Sequence, residues 1–248
     1  MPAHHIGEVL QNLDRIIDDA ITKESRLGYF PALYRKMTLQ VARGIREGQF
    51  EDGSRMGRLA VLFANRYLDA LELYQQGKGV SASWQLAFDV AGQWWPIVLQ
   101  HLLLGINAHI NLDLAVAAAA TAPGAQLPEL RSDFNRINSI LAALLESVKA
   151  ELTTIWPLLG LIDRVSGTSD DVLINFSMSK ARDCAWLAAE RLSAADVAQQ
   201  VSLVKQLDGR VVAIGNLVHR PGVLVGAKTR VIRLGEPKSV REVIEILK

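Results

Sequence analysis

The feature that most limits what this chain can fold into is the run from Ser83 to Ala120, "SWQLAFDVAGQWWPIVLQHLLLGINAHINLDLAVAAAA". A segment this long and this apolar must be enclosed on nearly every side, so the rest of the chain has to supply surfaces that pack around it. Those surfaces are helical in their spacing. Ile6, Val9, Leu10, Leu13, Ile16, Ile17 and Ile21 recur every three or four residues, and the same period continues through most of the sequence. No strand-like alternation persists before the last thirty residues or so. The expectation is an all-α protein, a single multi-helix bundle around a long central helix at about 83–120, bent at Pro96, whose ring removes one backbone donor.

Local punctuation places the other helices. A first covers about 5–25 and ends at Gly28; a second runs 31–47 between Pro31 and Gly48. A third, at 54–76, opens on Asp52 or Ser54 and stops at Gly77. After "TAPGAQLPEL", a helix is expected from Ser132 or Asp133 to Trp156, then a loop containing "SGTSDD", then helices at 171–192 and 194–218, with Ser193 or Asp196 capping the last. From residue 220 the texture becomes short, β-branched and basic ("VLVGAKTRVIRLGEP"), which divides the chain into a helical domain at 1–219 and a C-terminal appendage at 220–248. The appendage is expected to be irregular or hairpin-like and to offer a contact for a homo-oligomer.

Charge and composition remove several function classes. Lys and Arg number 27 against 26 Asp and Glu, a net charge of +1, so no polyanion-binding field is built in and no nucleic-acid partner is expected. Cys184 is the sole cysteine, and the N-terminus lacks the basic start and apolar run of a signal peptide, which together read as cytoplasmic. The 94–120 stretch approaches the length of a membrane span, but Gln100, His101, Asn107, His109, Asn111 and Asp113 would all have to enter hydrocarbon. A buried core helix, with no membrane span, is the expected outcome.

Those same polar residues carry the functional reading. On a helical wheel Gln93, Gln100, Asn107 and Asn111 fall within about 40° of Asp89 and form one polar stripe, which reads as a solvent-facing edge or as a ligand-lining face. His109 and Asp113 lie on the other side, with Trp95, Leu99, Leu102 and Ile106. One turn separates them, so their side chains converge about 6 Å apart along the axis. A buried carboxylate needs a partner or a metal, and a neutral imidazole offers a lone pair to either a proton or an ion. His101 sits about two turns earlier, rotated by roughly 80°, and cannot share an ion with His109 from a straight helix.

A metal site would need ligands from other helices, and the carboxylates that interrupt apolar faces are Asp14 and Asp18 in the first helix, Asp69 in "FANRYLDAL" and Asp133 in "DFNRINSIL", of which Asp69 and Asp133 are the leading candidates. The leading expectation is therefore a metal-dependent, hydrolase-like enzyme. His109, Asp113 and Asp69 or Asp133 would bind a divalent metal ion, and Arg66 or Arg136 would hold an anionic group of a small ester-type substrate. The pocket would lie between the central helix and those at 54–76 and 133–156. Two alternatives stay open: a metal-free acid–base enzyme or cyclase using His101 or His109, and a non-catalytic helical binding or scaffold protein in which the pair fixes helix register. ExxH pairs, HExxH, a P-loop and GxSxG are all absent.

The segments "FPALYRKMT", "FANRYLDAL", "HLLLGINAHINLDL", "DFNRINSIL" and "FSMSKARDCAWLAA" together resemble a bacterial helical family known only as a domain of unknown function, over roughly residues 25–195. The resemblance implies a shared all-α fold and a shared pocket, and no particular activity. The His109–Asp113 spacing is also locally similar to the HxxxD pairs of the helical zinc phospholipase C and nuclease group, although the chain has too few histidines for that group's full trinuclear pattern.

Overall fold

The computed structural model describes residues 2–137, 178–236 and 239–248. The apolar stripes become helices α1 (Ile6–Thr22), α2 (Tyr29–Arg46), α3 (Gly53–Gln75), α4 (Ala82–Ala91), α5 (Val98–Ala108) and α6 (Leu114–Thr121). They are followed by α7 (Met178–Ala194), α8 (Val197–His219), α9 (Val223–Gly235) and α10 (Val240–Leu247). Among the described residues there is no strand. The expected helix body beyond residue 137, the "SGTSDD" loop and the expected start of a helix at 171 lie outside the described residues.

Side-chain caps fix the starts. Asp52 accepts from the Arg55 amide at 2.8 Å to open α3, and Asp196 and Gln199 exchange bonds of 2.8 and 3.2 Å to open α8, each satisfying amides that have no partner inside the helix. Gly48 and Gly77 sit just past α2 and α3 at φ +68°, a left-handed conformation in which a Cβ would be strained.

The central run departs from a single bent helix. It stops at Ala91, passes through a non-helical link at 92–97, and resumes at Val98. Pro96 disfavours helical geometry at Trp95 and has no amide to donate, so the chain leaves the helix instead of bending it. The new N-terminus is satisfied by side chains: the Ile97 amide donates to Gln100 Oε1 at 3.1 Å and the Val98 amide to Glu236 Oε1 at 2.9 Å. From Val98 to Thr121 the chain is long and apolar enough to cross a membrane, and 94% of its most apolar window is enclosed by neighbouring helices.

Asp89 and Gln93 of the polar stripe are exposed, but from Gln100 onward the stripe does not face solvent. Gln100 Nε2 donates to the carbonyls of Val218 and His219 at 2.8 and 3.3 Å, Asn107 Nδ2 to the Val211 carbonyl at 2.8 Å, and Asn111 Nδ2 to Asn107 Oδ1 at 3.0 Å. It is a seam against α8, whose Val218 and His219 carbonyls, in the last turn, have no partner inside their own helix, while Val211 lies in the helix interior. Gly215 permits the approach, since a Cβ there would stand 2.9 Å from Leu86 Cδ2 and 3.4 Å from Asn107 Nδ2.

Val223–Gly235 and Val240–Leu247 are helical where an irregular or hairpin-like segment was expected. Strand propensity is weak against packing, and Val240, Val243, Ile244 and Leu247 recur at helical spacing behind a Ser239 cap on the Glu242 amide. Val243, Ile244 and Leu247 are fully buried, and α10 packs against α1 and α2. In α9, Arg233 Nε donates to the Trp94 carbonyl at 2.6 Å and Arg233 pairs with Glu236 at 2.9 Å.

One close approach sets the middle of the bundle. A Cβ at Gly105 would stand 2.5 Å from Phe30 Cδ2, and Phe30 is itself held by Tyr34, Tyr67 and Trp84 at centroid distances of 5.6, 5.1 and 5.5 Å. Gly105→Ala therefore destabilises the protein by about 1–3 kcal/mol through overpacking, read as a lowered urea midpoint at unchanged slope.

Candidate functional site

The helix carrying the expected pair widens where it holds them. Residues His109–Asp113 form a π turn in which the Leu114 amide donates to the His109 carbonyl, five residues back instead of four. Such one-turn insertions in α-helices concentrate at functional sites.

Both side chains point inward: His109 is 2% exposed and Asp113 0%. His109 Nδ1 lies 3.1 Å from Asp113 Oδ2, the same oxygen that accepts from the Trp84 indole N–H at 2.8 Å, while Asp113 Oδ1 accepts from Arg66 Nε at 3.2 Å. A carboxylate can only accept, so the His109 proton sits on Nδ1 and the lone pair on Nε2. Burial lowers the His109 pKa, with Asp113 pulling the other way, and the ring is neutral near pH 7. Among the described residues, His109 Nε2 has no hydrogen-bond partner.

Aromatic rings hold the imidazole in place. Phe63 stacks on it at 3.6 Å and 10°, Tyr34 meets it edge-on at 4.5 Å, and Phe30 and Trp84 close the ring at 5.6 and 6.0 Å. The ring lines a cavity of about 60 Å³ formed by α2, α3, α5 and the π turn. Apolar side chains such as Met37, Met56, Leu59 and Ile106 make up most of its wall, with Thr38, His109 and Arg182 as its polar members beside the Tyr34 phenol. Arg182 is 2% exposed; burial lowers its pKa to about 9, its guanidinium lies 4.5 Å from the centre of the Phe134 ring, and its Nη2 donates to the Phe134 carbonyl at 2.8 Å.

The other expected site residues are elsewhere. Asp69 is exposed. Asp133 is buried but committed, accepting from the Glu51 and Asp52 amides at 2.7 and 3.0 Å and so closing the α2–α3 turn. Arg136 is exposed and donates to the Gln49 carbonyl. His101 is buried against Tyr29 at 5.8 Å and does not line the His109 cavity. Arg66 is the expected residue that does join the pair, as the counter-charge of Asp113. Among the described residues, no three His, Cys, Asp or Glu side chains stand together as a metal would require. Both Asp113 oxygens already accept from donors, one of them cationic, so the four-residue ligand set His109, Asp113, Asp69 and Asp133 is not assembled, and the likeness to zinc HxxxD sites ends at the spacing.

Sequence reasoning missed Trp84, the aromatic box and Arg182. Phe30 and Tyr34, and likewise Phe63 and Tyr67, are four apart on their helices and so share a face, which was the available signal.

Fold and site together define a class: an all-α protein with a buried His–Asp pair, neutralised by arginine, beside an aromatic cavity. The chain belongs to a family of unknown function (DUF5995), whose model matches residues 6–221. No curated protein and no solved structure matches it.

Proposed function

We propose that the protein is an acid–base enzyme acting on a small, largely apolar organic molecule, with His109 as the base. The observation that carries this reading is the unpartnered His109 Nε2 on a ring that lines an apolar cavity, with Asp113 fixing the opposite nitrogen. In the reaction a substrate C–H or O–H proton passes to Nε2, and Asp113 stabilises the imidazolium that results. Arg66 and the Trp84 N–H keep Asp113 oriented, so the pair is organised before substrate arrives. The cavity wall excludes water and selects against bulky polar substrates. A hydrolytic metal reading would require either Asp133 to abandon two backbone amides or Asp69 to leave the surface.

The test is untargeted. Purified protein is incubated with a small-metabolite extract in the presence of a chelator, and consumed and produced masses are compared with those of His109→Gln, whose folding is checked by circular dichroism. Turnover that persists with chelator and falls by about 10²-fold or more in the variant supports the assignment. Turnover that the chelator abolishes, or that His109→Gln leaves intact, overturns it. So does the absence of any turnover, which leaves the pair with the register-fixing role of a scaffold.

A further inference from the structure

A second cavity, about 500 Å³, lies at the corner where the 92–97 link meets the α8–α9 junction, and it shares no wall residue with the His109 cavity. Trp95 and Pro96 line it from the link, His219 and Arg220 from the end of α8, and Arg230 from α9. Its charge is one-sided. From His219 to Arg233 the chain reads "HRPGVLVGAKTRVIR", with no acidic residue, and Arg233 is already matched by Glu236. Arg220 and Arg230 are exposed, and among the described residues neither has a carboxylate within ion-pair reach.

The apolar component is equally specific. Trp95 is 56% exposed, and the Arg230 guanidinium lies 5.9 Å from the centre of its ring. An indole left half in water beside unneutralised guanidiniums, in a concavity, offers a stacking face and fork-shaped donors within one site. His219 Nε2 is 3.0 Å from Gln93 Oε1, and its pKa is lowered by burial and then by Arg220, so the imidazole leaves the arginines as the charged groups of the corner near pH 7.

We propose that this corner binds an oxyanion carried on a flat ring, with Arg220 and Arg230 taking the oxyanion and Trp95 the ring. The experiment is calorimetric titration of the full chain with phenyl phosphate, benzoate, inorganic phosphate and phenol. Phenyl phosphate saturates the site below about 1 mM, and inorganic phosphate and phenol each bind at least about tenfold more weakly. Benzoate matching phenyl phosphate identifies the oxyanion as a carboxylate within the same class; benzoate binding more weakly identifies it as a phosphate. The double variant Arg220→Ala/Arg230→Ala loses about tenfold or more for phenyl phosphate. Trp95→Ala loses a comparable factor for phenyl phosphate while leaving inorganic phosphate unchanged. All these side chains are on the surface, and circular dichroism confirms that the variants fold. No saturation by any probe up to about 10 mM, or equal affinity in the double variant, overturns the proposal. Binding to phosphatidylserine vesicles that phenyl phosphate does not compete away also overturns it, by making the corner a membrane-docking surface.

Discussion

Asp113→Ala lowers the unfolding free energy by about 3–5 kcal/mol, a large share of the roughly 5–15 kcal/mol that holds a domain of ordinary stability together. The loss comes from orphaned donors. Asp113 is fully buried and accepts from three groups, the Trp84 indole, Arg66 Nε and His109 Nδ1. Removing it leaves two of them, the indole N–H and the imidazole N–H, inside the core with nothing to accept from them, and leaves Arg66 without its counter-charge. Asp113→Asn is milder, about 1–2 kcal/mol, because an amide oxygen at the Oδ2 position still serves Trp84 and His109 while the nitrogen faces a half-exposed Arg66. Urea unfolding followed by Trp fluorescence measures both. An Asp113→Ala loss below about 1 kcal/mol, or Asn costing as much as Ala, would mean that the three bonds do not form a buried network.

The His109–Asp113 pair was legible because a separation of four residues keeps two side chains together in an α-helix and in a single π turn alike. What surrounds the pair was not. A wheel drawn through 83–120 assumes one unbroken helix, and the chain violates this twice, with the link at 92–97 and with the inserted residue of the π turn, which shifts the phase of everything beyond Asp113 by about 100°. His109 and Asp113 were placed inward correctly, whereas the groups expected beside Asp113 were the carboxylates Asp69 or Asp133 and are instead donors, Arg66 and Trp84. Gln100 and Asn107 show the other limit. Amides suit water, a ligand or a helix end equally well, and only the position of α8 decides that they meet its carbonyls. Asp133 was read as a candidate metal ligand or a helix-opening residue, but a carboxylate that closes a turn and one that binds a metal look the same until the Glu51 and Asp52 amides are placed beside it.

Stability falls below neutral pH, and His101 is one of the causes. Its ring is 6% exposed, has no hydrogen-bond partner on either nitrogen among the described residues, and faces Tyr29 with Arg26 and Arg233 nearby. Burial, reinforced by those two cations and opposed by the Pro96 carbonyl, lowers its pKa from 6.5 to about 3. Below pH 6.5 the unfolded chain takes up a proton that the folded protein refuses, so the stability is complete above that value and is lost at about 1.4 kcal/mol per pH unit as pH falls towards 3. By pH 5 the loss from this residue alone is about 2 kcal/mol. His109 is shifted in the same direction and adds to it, whereas Glu236, whose pKa burial raises, works with the opposite sign over the carboxylate range. Comparison with His101→Leu isolates the effect of this ring, since leucine fills similar volume without two unsatisfied nitrogens. The variant is at least as stable as the parent at pH 7.5, and the difference between them grows in its favour by about 2 kcal/mol at pH 5. Urea denaturation at both pH values measures this, and parallel pH profiles for the two proteins would show that His101 takes up its proton as readily folded as unfolded.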